Sequence, residues 1–123
     1  MDLQALFSWQ DNTFFDLWSI VHILWGAVMG GVALHALSKT YSYKNLFITA
    51  FILIILWEYG EYLVGIIETW GNILTDVILG IGGYYLGYTL PNKLKTPDYT
   101  ILIPVFVVAF TLTYIGWINY LAQ

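Results

Sequence analysis

Hydrophobic residues run through this chain in four long blocks, over 14–37, 46–67, 73–90 and 99–121. A bilayer core about 30 Å thick takes about 20 apolar helical residues, so each block predicts a membrane-spanning helix. The third has 18 residues and four glycines over its length, which predicts a short or tightly packed helix. Ahead of the blocks, Leu3, Leu6, Phe7 and Trp9 follow i, i+3, i+4 spacing and predict a short interfacial helix. The fold class expected is all-α: one four-helix transmembrane bundle preceded by that helix.

The polar breaks are brief, at 38–45, 68–72 and 91–98. Lys39 and Lys44 lie in the first, Lys93 and Lys95 in the third, so both lysine loops fall on one side of a four-span topology. Basic loops favour the cytoplasmic face, which puts both termini and the 68–72 turn outside. Trp9, Trp18, Trp70 and Trp117 then mark an outer aromatic belt, with Tyr41, Tyr43 and Tyr99 at the inner face. The bacterial inner membrane is the expected location. The first fifteen residues carry no Lys or Arg, so no cleavable signal peptide is expected.

Composition agrees. Of 123 residues 59% are hydrophobic and 10% charged, against about 45–50% and about 25% in soluble domains. There is no arginine, which argues against a nucleic-acid partner. The absence of cysteine excludes disulfides, thiolate metal sites and cysteine nucleophiles.

The acids are the informative exception. Asp16, Glu58, Glu61, Glu68 and Asp76 sit in or beside the apolar blocks, as does His22, where ionisable groups are costly and usually functional. At a rise of about 1.5 Å per residue, His22 lies ~12 Å below the outer end of the first helix. On the second, Glu61 lies ~10 Å and Glu58 ~15 Å below Glu68, which is expected at the rim in solvent. Asp76 lies about one turn into the third helix. Three helices thus offer protonatable groups to one outer-half cavity.

Facing points the same way. Glu58, Glu61, Tyr62, Gly65 and Glu68 or Thr69 share one face of a continuous second helix. Ser19, His22, Gly26 and Gly30 or Ala33 form a stripe on the first, and Asp76, Gly80, Gly83 and Gly87 one on the third. Small residues let helices approach closely in lipid, so these stripes read as packing faces. The fourth helix, with Pro104 and a Val/Phe-rich body, reads as a lipid-facing wall.

Several residues have plainer roles. Asp16 follows Thr13 by three and is expected to complete a capping box there. Asp76 can serve the positive end of the third helix. His35 is expected to cap carbonyls or snorkel near the lysine loop. Asp16, Ser19 and His22 do not make a serine triad, because His22 points about 120° away from Asp16. Glu58 is the hardest to explain structurally, since a carboxyl at that depth must be neutral, paired or hydrated.

These residues define the candidate site. Glu58 and Glu61 are candidate general acid/base groups. His22, Asp76, Asp16, Glu68, Asn72 and Ser19 are candidate ligand-binding residues. His22, Glu58, Glu61 and Asp76 would suit a hard or borderline divalent metal ion, although neither HExxH nor the Glu-x-x-His repeat of di-iron bundles is present. The ligand expected is a cell-envelope one, a lipid head group or a divalent cation, with action on a lipid-linked substrate as an extension. Two alternatives stay open: an accessory subunit or homo-oligomer in a larger membrane complex, whose glycine stripes are interfaces, and a proton- or cation-conducting oligomer.

Asp16, His22 and Gly26, then Trp57-Glu58-Tyr59-Gly60-Glu61-Tyr62, then Asn72-x-x-x-Asp76 leading into Gly80, Gly83 and Gly87, resemble the VanZ/YjdF-like group of small bacterial membrane proteins. The likeness covers roughly residues 14–90 and implies an envelope role with acidic positions like Glu58, Glu61 and Asp76. One branch is associated with reduced susceptibility to teicoplanin. Trp70-Gly71-Asn72 stands where that branch carries an arginine, so the resemblance does not imply resistance here.

Overall fold

The computed structural model describes Trp9 and residues 15–122 of the chain. The interfacial helix expected around Leu3, Leu6 and Phe7, and the Thr13 end of the expected capping box, lie outside the described residues. Four helices follow one another: α1 (Leu17–Val32, continued by a π-helical turn Ala33–Leu37), α2 (Tyr43–Leu63), α3 (Trp70–Leu94) and α4 (Asp98–Leu121). All four are long and apolar enough to cross a membrane. The fold is an all-α four-helix bundle, and the chain is a multi-pass membrane protein.

Each boundary has a local cause. Asp16 caps α1: its carboxylate accepts from the Ser19 backbone N–H at 3.1 Å, and the Ser19 hydroxyl accepts from the Asp16 N–H at 3.2 Å. Asp16 is therefore itself the N-cap of α1, in a capping box with Ser19. Ser42 caps α2, starting it three residues before the expected 46. Thr69 caps α3 by accepting from the Asn72 N–H at 3.2 Å.

Two helix ends depart from expectation. α2 stops at Leu63 rather than 67, because Gly65 adopts φ +89. The Ile66 N–H then reaches Glu61 O at 3.0 Å and the Gly65 N–H reaches Tyr62 O at 3.1 Å, the Schellman pattern that closes a helix. The face expected to run from Glu58 to Glu68 is cut there, and Tyr62 points outward at 71% exposure. α3, by contrast, is a 25-residue helix rather than a short one. Pro91 lies within its last turns and forgoes only its own N–H bond. The helix closes one turn later at Lys95, in the left-handed region at φ 53.

α1 is central, packed most closely on α3, then on α4. The α1–α3 seam is built from glycine. A Cβ on Gly26 would collide with Gly80 O, one on Gly30 with Tyr84 O, one on Gly83 with Ile23 O and one on Gly87 with Ala27 O. The stripes are consumed within the chain, so they are not the faces a second copy would use. α4 is more than a wall: Trp25 Nε1 donates to Thr113 Oγ1 at 2.8 Å, and Gly116 fits beneath Trp9 and Trp18. Trp18 is buried between Trp9 and Trp117 rather than standing in a belt. At the opposite end Tyr84, Ala33, Leu46 and Ala50 form a small core against Tyr88, Phe47 and Met29. His35 pairs there with Asp98 at 3.5 Å, neither capping carbonyls nor snorkelling alone.

Candidate functional site

The first turns of α1 and α3 and the last turns of α2 share one end of the bundle, and the ionisable residues meet there. α1 contributes His22, α2 contributes Glu58 and Glu61, and α3 contributes Asp76. His22 Nδ1 lies 3.4 Å from Glu58 Oε1. His22 Nε2 lies 3.7 Å from Glu61 Oε1 and 3.6 Å from Asp76 Oδ2. The imidazole is thus surrounded by three carboxylates from two neighbouring helices. Asp76 is fully buried, and the side chains of His22 and Glu58 are 4% and 9% exposed.

These atoms are short of partners. Among the described residues, His22 Nε2, both oxygens of Glu58 and of Asp76, and Glu61 Oε2 are buried without a hydrogen bond. A buried polar atom left so costs ~1–3 kcal/mol, more when charged. The separations also exceed the ~2.7–2.9 Å of charge-assisted hydrogen bonds. Glu58 faces Nδ1 and Glu61 and Asp76 face Nε2, and an imidazole gives one ion only one nitrogen. The 3.6 and 3.7 Å separations from Nε2 fit ligands of one ion, since two donors each ~2.1 Å from a tetrahedral metal stand ~3.4 Å apart.

Glu68 is the largest departure from expectation. A continuous helix would hold it ~15 Å from Glu58. Instead the Gly65 stop turns the chain back, and donor atoms of Glu58, Glu61 and Glu68 all lie within 4.8 Å of one another. His22, Glu58 and Asp76 form a second such set. Glu68 lies outside the spanning helices, yet burial pushes its carboxyl from 4.5 up to about 8, with Glu61 and Asp76 adding repulsion. The rim carboxylate expected in solvent is part of the cluster.

Other expected residues take flanking positions. Asp16 and Ser19 cap α1 together and lie outside both donor sets, although the Ser19 hydroxyl also reaches toward Asp76 and Asp16 acts electrostatically on Asp76 and Glu68. Asn72 is buried one turn before Asp76, at the start of α3. Trp57 had no expected role, yet its Nε1 donates to Glu61 Oε1 at 2.7 Å and its ring meets the His22 edge at 5.6 Å between centroids. Its i, i+4 spacing to Glu61 was the available signal.

Two cavities adjoin the cluster. One, of about 530 Å³, is lined by Glu58, Glu61 and Glu68 together with Tyr59, Tyr62 and Trp70. The other, of about 380 Å³, places His22 at the end of an apolar crevice between α1 and α2. No family model, curated protein or solved structure matches this chain. The chemistry of the site therefore has to be read from its own residues.

Proposed function

We propose that this protein binds a divalent cation in the outer half of the membrane, with His22, Glu58 and Asp76 as ligands and Glu61 beside them. The observation that carries this reading is the ring of buried, hydrogen-bond-deficient carboxylate oxygens around one imidazole. A carboxylate-rich set with one imidazole suits Mn²⁺, Fe²⁺ or Zn²⁺ better than a soft ion. Trp57 orients Glu61 from behind, the kind of outer support that metal ligands require.

The membrane is the bacterial plasma membrane, with both termini outside, so that the site takes its ion from the envelope side. Membership of the VanZ/YjdF-like group belongs to the same proposal, on the order of its motifs alone. The cavity beside Glu58, Glu61 and Glu68 favours one addition: its mixed carboxylate and aromatic lining suits the polar head of an envelope lipid held next to the ion.

The test is native mass spectrometry of gently extracted wild-type protein beside Glu58→Gln, before and after equilibration with Mn²⁺. The wild type is expected to carry the ion, and Glu58→Gln to bind it more than ~10-fold more weakly with unchanged helical content. Equal loading of the two proteins would sink the reading. A lipid adduct confined to the wild type would support the head-group addition.

A further inference from the structure

The two donor sets share a single residue. Glu58 belongs to the His22–Glu58–Asp76 set and to the Glu58–Glu61–Glu68 set. Its side chain is nine-tenths buried, and neither oxygen has a hydrogen-bond partner among the described residues. A carboxylate with both oxygens available can bridge two ions, giving one to each side.

A second ion would let all four carboxylates of the two sets ionise. Glu58, Glu61, Glu68 and Asp76 bring four carboxylates together, and a His22 that ligates a metal must be neutral. One divalent cation would compensate two of those carboxylates and leave two that must either stay protonated or remain charged in a low-dielectric setting where that is costly. No lysine can help: Lys39, Lys44, Lys93 and Lys95 all belong to the opposite end of the bundle, and the chain has no arginine. Residues 1–14 contain no basic side chain either. Two divalent ions match the four carboxylates of the two donor sets, with Asp16 held apart in the α1 cap.

Resting on the cation-binding reading above, we infer that the site is dinuclear: Glu58 bridges two divalent cations, an inner one held by His22 and Asp76 and an outer one held by Glu61 and Glu68. The donor arrangement is not that of helical di-iron bundles, which take their ligands from helices throughout. Here the outer ion depends on Glu68, in the 64–69 segment that Gly65 turns back over the end of α2. The outer position also faces the cavity of about 530 Å³, whereas Asp76 at the inner position is fully enclosed.

The experiment uses the full chain in detergent, equilibrated with Mn²⁺ and freed of excess. Bound ions are counted by native mass spectrometry, and electron paramagnetic resonance reports whether they are magnetically coupled. Wild type is expected to hold two coupled Mn²⁺ ions. Glu68→Gln, a change outside the helices, should hold one uncoupled ion, its second binding step weakened more than ~10-fold. Asp76→Asn should weaken the other step and also lose the coupling. A single ion in wild type with unchanged affinity in Glu68→Gln overturns the pair and leaves the mononuclear reading standing. Two ions that persist in Glu68→Gln, or two uncoupled ions in wild type, overturn the pair as well. No ion in any form overturns both readings.

Discussion

At the scale of single residues, the same chemistry serves two purposes within a few ångströms. Asp16 and Asp76 are both buried acids near a helix N-terminus, yet only Asp16 is engaged by a reciprocal cap with Ser19. Asp16→Ala should therefore destabilise the protein by about 1 kcal/mol, the usual value of an N-cap. Asp16→Asn, which keeps the accepting oxygen, should restore most of that stability. Thermal unfolding in detergent measures both, and equal losses in the two variants would show that Asp16 acts through its charge. His22, Glu58, Glu61 and Asp76 were legible from sequence because an ionisable group in an apolar block has few structural excuses. Trp57 was not, since a tryptophan in a membrane helix is unremarkable until its indole N–H is seen to meet a carboxylate.

At the scale of elements, close approach of α1 and α3 puts His22 and Asp76 within reach of each other, and the glycines permit it. The direction in which each glycine would grow a side chain separates them. A Cβ on Gly83 would run into the Ile23 carbonyl, which is backbone and cannot yield without moving a helix. A Cβ on Gly80 would meet the Ile54 side chain, with Cδ1 at 3.3 Å, Cγ1 at 3.4 Å and Cγ2 at 3.5 Å, a crowding that a shift of a few tenths of an ångström relieves. Gly83→Ala should thus cost about 1–3 kcal/mol or more, and Gly80→Ala less than about 1 kcal/mol. Comparing their unfolding temperatures and cation loading checks this; equal tolerance would mean that the seam is looser than the structure has it. The stripes themselves were readable from spacing. The ends of α2 and α3 were less so, because each depends on one residue with positive φ. Gly65 fits a helical stripe as well as it fits a Schellman stop, and Lys95 carries no sign that it will take the left-handed conformation. That single ambiguity at Gly65 is why Glu68 was expected at the rim.

At the scale of the whole molecule, the charges divide the bundle into two ends. The lysines belong to the 38–42 and 95–97 connections and the helix turns beside them; the carboxylate cluster belongs to the opposite end. If the lysines face the cytoplasm, the proposed cation site would draw from the envelope; if they face outward, it would draw from the cell interior. Arginine is absent, so the four lysines alone set the positive-charge bias. The absence of cysteine makes the question easy to ask, because any introduced thiol is the sole target. Lys39 and Ile67 are both exposed, in the connections at opposite ends of the bundle. In right-side-out membrane vesicles, an impermeant maleimide should label Ile67→Cys at once and Lys39→Cys only after the membrane is opened. The reverse pattern would invert the topology, and with it the side from which the proposed site at His22, Glu58 and Asp76 would be loaded. The geometry of the cluster would survive that outcome unchanged, since it depends on which helix ends meet and not on which compartment they face.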